Sequence, residues 1–115
     1  LNRRYGRLVE AWDQGIDRIL RRAPHVIMAH SPGDVFGAGT DCVISLAYLE
    51  LAAYSRGLGA CWAGWLNTAA TYHPTLQEAL GLPEGHVPHG ALMIGYPVYK
   101  YHRIPQREPA RIIWA

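Results

Sequence analysis

The fold of this chain is decided by Gly57–Trp65, which reads GLGACWAGW and follows a long apolar segment. Gly57 and Gly59 tolerate positive φ, so they can end the preceding helix and turn the chain sharply. Trp62 and Trp65 add large apolar side chains that an ordinary surface turn does not carry. Because such loops often carry function, we expect this one to place its backbone against a flat ligand, with simple helix termination as the alternative.

Length and composition limit the functions open to this chain. Its 115 residues provide for one domain around one core. The chain is 50% hydrophobic and 17% charged, and that charged fraction is below the roughly 25% of typical soluble domains. This predicts apolar surface that meets a partner or a cofactor. The net charge of +2 is too small to indicate a nucleic-acid binder.

Cysteine usage and hydropathy indicate the compartment. Cys42 and Cys61 are too few for a disulfide framework and are typical of reduced thiols in a cytosolic protein. No N-terminal targeting pattern is visible, and the longest apolar run, Cys42–Tyr54, is too short to span a membrane. We therefore expect a cytoplasmic protein with no membrane or nucleic-acid partner. Cys61 itself is predicted to be a small buried side chain rather than a redox thiol.

Three segments have helical periodicity. Apolar residues recur at three- and four-residue steps over Asn2–Leu20, which predicts an amphipathic helix. Thr40–Arg56 is apolar on nearly every side, so we predict a central helix with Thr40 or Asp41 as its N-cap. His73–Leu80 is predicted to form a short helix, because a proline stands in its first turn and a glycine follows it.

Short apolar runs bounded by glycine and proline predict three strands, His25–Ala29, Gly90–Gly95 and Arg111–Trp114. Helices and strands together predict an α+β fold that forms a single domain over residues 1–115. Gly37 and Gly39 hint at a dinucleotide-binding loop, but a cysteine occupies the position of that motif's third glycine. The dinucleotide interpretation is therefore set aside.

The order and spacing of several segments resemble the C-terminal half of the nitroreductase family of FMN-dependent flavoproteins. The resemblance covers about residues 25–115 and rests on the helix leading into Gly57–Gly64, then on Leu80–Pro83, Ile94–Pro97, Arg107–Pro109 and Ile112–Trp114. It implies a partial nitroreductase-like fold with a central apolar helix, a short mixed sheet and a flanking amphipathic helix. The tryptophan-containing loop most resembles the branch in which a ferredoxin-like segment comes first, and this sequence contains no such segment.

The resemblance implies a cofactor-binding loop. By this resemblance, Cys61, Trp62, Ala63 and Gly64 lie along the flavin ring, and the backbone N–H of Ala63 or Gly64 is directed at flavin N5. Hydride enters and leaves at N5, so a fixed donor there orients the ring while the cofactor does the chemistry. No side-chain nucleophile or general base is required, and we expect no catalytic residue.

Phosphate binding depends on arginines near the C-terminus. Arg107 stands before Pro109 and resembles the family's C-terminal phosphate-binding arginine, and Arg103 precedes Pro105 in the same way. Either guanidinium could bind phosphate through forked hydrogen bonds, or both could be solvated loop charges. The family's Arg-x-Ser-x-Arg motif, whose basic side chains hold the FMN phosphate, has no match in this sequence. We therefore expect a C-terminal fragment that lacks the N-terminal phosphate-binding part.

The resemblance also implies an activity and partners. Members of the family reduce FMN with NADH or NADPH and then pass electrons to nitroaromatics, quinones or related small aromatic acceptors. They are homodimers with FMN in the subunit interface, which agrees with the low charged fraction. Two alternatives stay open: a noncatalytic chain that dimerises without flavin, and a module that binds flavin or another ligand without turnover.

Two further patterns have ordinary structural interpretations. His86 and His89, three residues apart around Pro88, hint at a metal, but no third ligand has suitable spacing. We interpret both as solvated histidines and predict no metal site. Trp65 is predicted to be a packing aromatic rather than a ligand contact.

Overall fold

The computed structural model describes residues 3–114 of the chain. Its α+β fold confirms the predicted class and contains four helices and three strands within that range. In chain order the elements are α1 (Arg3–Asp13), β1 (His25–Pro32), α2 (Ala38–Ser55), β2 (Gly59–Trp62), α3 (Gly64–Tyr72), α4 (Pro74–Ala79) and β3 (His86–Gly95). Residues 96–114 follow β3 without forming a helix or a strand.

The three strands form one sheet in the order β1-β3-β2, and both pairings are antiparallel. Val26 lies opposite Met93 in the β1–β3 pair, and Trp62 lies opposite Leu92 in the β2–β3 pair. Strand β3 is therefore central, paired with β1 over His86–Ile94 and with β2 over Leu92–Gly95. The expectation of a mixed sheet is wrong for the described residues, since neither pairing is parallel.

The predicted strand Arg111–Trp114 is not a strand in the structure. The third strand is instead β2, which lies inside the glycine-rich stretch that the sequence presents as a loop. Ile113 is 94% exposed, and this segment has no open edge of β3 to pair with because β1 and β2 occupy both. An apolar, β-branched run forms a strand only where tertiary context supports it.

Helices cover both faces of the sheet and create two core clusters. On one face, Ala91 and Met93 of β3 pack with Leu66 of α3. On the other face, Leu92 packs with Leu46 of α2. Because alternate residues of a strand point to opposite faces, β3 must be apolar at consecutive positions. This requirement explains its unbroken hydrophobic run.

Helix α2 begins at Ala38, earlier than predicted, with Gly37 as its N-cap. Gly37 has a φ of 79°, and no side chain caps the helix, so the predicted caps Thr40 and Asp41 are wrong. Glycine adopts this left-handed conformation without the clash that a Cβ would cause. The other end of the helix, at Ser55, lies within one residue of the prediction.

Helix α2 is buried on one face rather than all round. Leu46 and Ala53 are 2% and 4% exposed, respectively, at the sheet. On the opposite side, Ile44, Tyr48 and Leu51 are 50%, 72% and 69% exposed. The predicted central helix therefore packs on the sheet with one face, and its opposite face is exposed within a single chain. We call these three residues the outer stripe of α2.

The two helices after β2 differ in how well their sequences specify them. Helix α4 confirms the predicted short helix, with His73 as its N-cap and Leu80 as its C-cap. Helix α3 was not predicted, because glycine, asparagine and threonine weaken its intrinsic helix propensity. Burial of Leu66 and Ala70 against β3 compensates for that weakness.

Helix α1 ends at Asp13, well before the predicted boundary at Leu20. Gly15 adopts a φ of 74°, and its N–H donates to the Trp12 carbonyl at 2.8 Å, which closes the last turn. The following residues keep apolar spacing but form a loop, and Leu20 packs against the core cluster beneath α3. The predicted first residue, Asn2, lies outside the described residues.

The carboxylate of Asp17 organises this loop. One oxygen accepts N–H bonds from Ile19 and Leu20 at 2.9 and 2.8 Å, and the other accepts one from Arg22 at 3.0 Å. Arg21 and Arg22 have φ values of 54° and 55°, a left-handed conformation that costs roughly 1–2 kcal/mol per residue with a side chain. The Arg22 N–H, followed by those of Leu20 and Ile19, holds the pKa of Asp17 below its ordinary value of 3.8.

Replacement of Leu92 tests the two-sided core. Leu92 is 0% exposed, so we expect Leu92→Ala to lower the free energy of unfolding by about 2–5 kcal/mol. Val9→Ala is the control, because Val9 is 54% exposed on α1 and should change stability by about 0.5 kcal/mol or less. Denaturant unfolding measures both variants. Equal losses in the two would contradict the described packing of β3.

Replacement of Asp17 tests the loop through its pH dependence. Asp17→Asn should lower stability near neutral pH, because the amide nitrogen cannot accept the Arg22 N–H. Since the folded-state pKa is lowered, the ionised carboxylate stabilises the fold above 3.8, and this contribution disappears as pH falls through the folded-state pKa. Denaturant unfolding at several pH values should show the two proteins converging in acid. A stability difference that persists unchanged in strong acid would contradict this assignment.

Candidate functional site

The residues expected to face a flavin lie where β2 passes into α3. Cys61 and Trp62 end the strand, Ala63 is the N-cap, and Gly64 is the first residue of the helix. Ala63 is 3% exposed, and its N–H donates to the Ala91 carbonyl at 2.8 Å, continuing the β2–β3 pairing by one step. Cys61, Trp62 and Gly64 are exposed. At this junction, Cys61, Trp62 and Gly64 are thus exposed, while the buried Ala63 between them is held by its hydrogen bond to β3.

The backbone N–H groups of Ala63 and Gly64, the two candidate donors to a flavin, differ in whether they are already hydrogen-bonded. The N–H of Ala63 is engaged by Ala91, so it is not free to bind a ligand. Gly64 opens α3, and the first N–H groups of a helix have no intrahelical acceptor and carry partial positive charge. A Cβ added at Gly64 would meet nothing within 4 Å. Gly64 therefore has both a directed donor and open space beside it.

Trp62 is held by a residue that sequence reasoning missed. Its Nε1–H donates to Glu50 Oε2 at 2.9 Å, which ties β2 to α2. A Cβ added at Gly90 would lie 3.3 Å from Trp62 Cζ3, so the indole also contacts the central strand. The available signal was an acidic residue within an otherwise apolar helix, because such a residue needs a polar partner.

Trp65 contacts Tyr5 edge-to-face, with ring centroids 5.6 Å apart, and thereby joins α3 to α1. This contact confirms its interpretation as a packing aromatic, although 42% of the residue remains exposed. Cys61 does not match its predicted burial, because it lies on an exposed position of β2. Its thiol is 3.8 Å from the carbonyl oxygen of Trp62. Both cysteines are free, as predicted.

An open cavity of about 470 Å³ lies beside Cys61. Its lining includes Arg21, Arg22, Tyr96 and Tyr99 together with Cys61. The two arginines reach it because the Asp17 loop holds them in the left-handed conformation. No local pattern predicts this placement, because Arg21 and Arg22 directly follow the predicted end of the first helix at Leu20. The cavity therefore places Arg21 and Arg22 beside the candidate site, although Nη2 of Arg22 donates to the Gly15 carbonyl at 2.9 Å.

Arg103 and Arg107 lie on the exposed segment after β3, and neither lines the cavity beside Cys61. Arg103 forms a separate shallow hollow with its neighbours Ile104 and Pro105. The structure thus brings Cys61, Trp62, Ala63 and Gly64 together by chain continuity, but it does not bring these two arginines to them. Their assignment as phosphate ligands stays a prediction.

His86 and His89 lie three residues apart in sequence, but their side chains contact different residues. His89 Nε2 lies 2.8 Å from Ser31 Oγ, whereas His86 Nδ1 lies 2.8 Å from His30 Nδ1. His86 and His89 therefore have separate partners. Among residues 3–114, no group of three or more His, Cys, Asp or Glu side chains is arranged to hold a metal.

None of the helices described in residues 3–114 has the length and apolar character needed to cross a membrane.

Comparison with known proteins identifies the lineage of this fold. The family model described as the nitroreductase family matches residues 2–96. No curated protein sequence matches the chain. Among solved structures, a nitroreductase with bound FMN from Desulfitobacterium hafniense has 22% identity and a TM-score of 0.67, over 92% of this chain and 57% of that one.

Two further structures show the same relationship. A nitroreductase with bound FMN from Bacteroides fragilis has 23% identity and a TM-score of 0.62, over 89% of this chain and 56% of that one. A nitroreductase-like family protein from Bacillus cereus has 25% identity and a TM-score of 0.64, over 90% of this chain and 56% of that one. This chain thus spans 56–57% of the length of these three structures. With the family model matching more than half of its residues, the chain belongs to the nitroreductase family.

Proposed function

We propose that this chain provides the ring-facing part of an FMN site in a flavin-dependent oxidoreductase. The observation that carries the proposal is the Gly64 N–H at the start of α3, which has no acceptor within the helix, together with open space on the Cβ side of the same residue. Exposed Cys61 and Trp62 end the strand that precedes this donor, on opposite faces of the sheet, and buried Ala63 fixes its position. Solved nitroreductases that share the fold hold FMN.

The residues of the chain have distinct tasks in this proposal. FMN, when bound, supplies hydride acceptance and release at N5 of its ring. The Gly64 N–H donates a hydrogen bond toward that edge, and the partial positive charge of the α3 N-terminus favours electron-rich ring atoms. Glu50 holds Trp62 in one orientation, so the indole forms a rigid apolar wall. The absence of a side chain at Gly64 keeps the approach to the backbone open.

The proposed reaction follows the family. NADH or NADPH is the proposed electron donor, and nitroaromatic or quinone-like molecules are the proposed acceptors. Because this chain spans little more than half of its solved neighbours, complete turnover depends on parts that those proteins possess and these 115 residues do not include. The two free cysteines favour the cytoplasm as its compartment.

Phosphate binding limits the expected affinity. These 115 residues contain no Arg-x-Ser-x-Arg motif, and each charge-assisted bond to the phosphate contributes about 1.5–3 kcal/mol. Loss of two such bonds weakens binding by about 10²- to 10⁴-fold. The remaining cationic candidates are Arg103 and Arg107 on the exposed segment and Arg21 and Arg22 at the cavity. We expect FMN to bind at about micromolar affinity or more weakly.

The outer stripe of α2 supports a homodimer. Ile44, Tyr48 and Leu51 recur at helical spacing and are at least half exposed in the single chain. Large apolar side chains in one contiguous stripe are typical of an interaction surface. We propose that two copies of the chain meet through α2, in an interface of obligate size, above about 2,000 Å² in total.

Gly64→Val tests the flavin-facing assignment. The valine side chain would fill the open space on the Cβ side of Gly64, where the ring is proposed to lie, and Gly64 does not have the positive φ that would make the substitution strain the fold. We expect saturable quenching of FMN fluorescence by the unmodified chain and none by this variant. Trp65→Phe should leave binding nearly unchanged, because Trp65 packs against Tyr5.

Gly6→Val is the matched control for this experiment. A Cβ at Gly6 also meets nothing within 4 Å, and that glycine lies on α1, away from the junction. The control should bind FMN as the unmodified chain does. Unchanged binding by Gly64→Val would contradict the flavin-facing role. No FMN binding by the unmodified chain, even at millimolar ligand, would favour the noncatalytic dimerising chain instead.

Leu51→Glu tests the dimer. A carboxylate in the outer stripe would lose its hydration on association, so we expect this variant to sediment as a monomer at micromolar concentration while the unmodified chain sediments as a dimer. Val9→Glu, on an exposed position of α1, should leave the dimer intact. A monomeric mass for the unmodified chain would overturn the proposed association.

A further inference from the structure

A pair of histidines lies at the end of the sheet where β1 finishes and β3 begins. The β1–β3 register pairs Ala29 with Gly90 and then His30 with Pro88, so His89 is an extra, bulged residue. After the bulge, His86 is the diagonal neighbour of His30 on the same face of the sheet, a position within reach of long side chains. Bulges often redirect side chains near functional sites.

The two rings approach each other through the same type of nitrogen. His30 Nδ1 lies 2.8 Å from His86 Nδ1, with ring centroids 4.9 Å apart and planes at 64°. A hydrogen bond between them requires one N–H and one lone pair, so at least one ring is neutral at Nδ1. Neutral imidazole nitrogens are the commonest protein ligands of transition metals. His30 is exposed and His86 is partly exposed, which leaves the pair open to ions from solvent.

We propose that His30 and His86 chelate a divalent transition-metal ion through their Nδ1 atoms, with Cu²⁺ bound most tightly and Ni²⁺ next. Ligands about 2.0 Å from an ion and at right angles to each other lie about 2.8 Å apart, whereas tetrahedral ligands lie about 3.3 Å apart. The 2.8 Å between the two Nδ1 atoms is a hydrogen-bond distance, and the same spacing is compatible with adjacent corners of a square. Square-planar and tetragonal geometries are typical of Cu²⁺ and Ni²⁺, and tetrahedral geometry of Zn²⁺.

The surrounding structure defines the ligand set. His89 does not join it, because its Nε2 is bonded to Ser31 Oγ at 2.8 Å. Its Nδ1 faces Gly39 of α2, where an added Cβ would lie only 3.0 Å away. In residues 3–114 no third His, Cys, Asp or Glu completes a cluster, so water supplies the remaining ligands. In the hydrogen-bonded pair the two Nδ1 atoms point toward each other, so chelation requires each lone pair to turn by about 45° toward the ion.

The site is separate from the proposed flavin-facing junction. His86 is five residues from Ala91, the residue that anchors Ala63, and five residues of strand span about 17 Å. Both histidines are carried by paired strands rather than by a loop, so their backbone positions are fixed before an ion arrives. A preformed backbone arrangement of this kind reduces the ordering cost of chelation.

Copper titration of the full chain tests the proposal. Protein without an affinity tag, with its free thiols alkylated so that Cu²⁺ cannot oxidise them, would be stripped with a chelator and titrated with CuCl₂ by calorimetry, with glycine present to suppress binding by single imidazoles. We expect one saturable ion per chain, with Ni²⁺ weaker and Zn²⁺ weaker still. His30→Asn and His86→Asn should each abolish the saturable phase, since asparagine keeps a polar atom near the Nδ1 position but binds metal poorly. His102→Asn, on the exposed segment after β3, should leave it unchanged.

A second readout keeps the test independent of variant folding. In NMR spectra of the unmodified chain, a substoichiometric amount of Cu²⁺ should broaden the amide signals around residues 30 and 86 first. Thermal unfolding without metal shows whether each asparagine variant keeps its fold. Broadening centred elsewhere would overturn the proposal. The proposal would also be overturned if folded His30→Asn and His86→Asn bound copper as tightly as the unmodified chain does.

Discussion

The rest of the structure depends on the requirement that β3 be covered on both faces and paired on both edges. Ala91 and Leu92 are consecutive residues that are 1% and 0% exposed, yet their side chains belong to opposite core clusters. Close approach of α2 is possible because position 90 is a glycine. A Cβ there would lie 2.6 Å from Leu46 Cδ1. The part of the strand under these constraints has little tolerance for polar residues, which is why Gly90–Gly95 is uniformly apolar.

This central strand also positions the candidate site. The Ala91 carbonyl accepts the Ala63 N–H, and this bond sets the point at which β2 ends and α3 begins. Gly64 then becomes the first helical residue, with an N–H that the helix itself does not use. At the opposite end of β3, the bulge at His89 sets the diagonal contact between His30 and His86. Two candidate sites with unrelated chemistry are thus aligned by one strand.

Sequence reasoning succeeded where a local pattern and the tertiary context agree. The apolar run Gly90–Gly95 predicts a strand, and the structure confirms it and extends it back to His86, across residues too polar for a buried-strand pattern. The predicted strand Arg111–Trp114 has a similar composition but no free edge of β3 to join. Helix α1 ends earlier than predicted because Gly15 turns the chain. The spacing of the apolar residues continues past this turn and therefore does not indicate where the helix ends.

The part of the candidate site that is contiguous in sequence was predictable, and the part that depends on long-range packing was not. The four residues Cys61, Trp62, Ala63 and Gly64 are contiguous, so any fold that includes the glycine-hinged stretch keeps them together. The contribution of Glu50 and the placement of Arg21 are long-range features, set by α2 packing and by the Asp17 loop. The histidine pair is likewise invisible in sequence, since its members are brought together only by the β1–β3 register.

The central claim is that a flavin ring rests against the start of α3, and amide hydrogen–deuterium exchange tests it most directly. Exchange would be followed with and without FMN at a concentration that saturates the fluorescence change. The account predicts slower exchange at the Gly64 amide and its helical neighbours in α3, with residues around His30 unaffected. FMN binding that slows exchange elsewhere and leaves the start of α3 unchanged would contradict it.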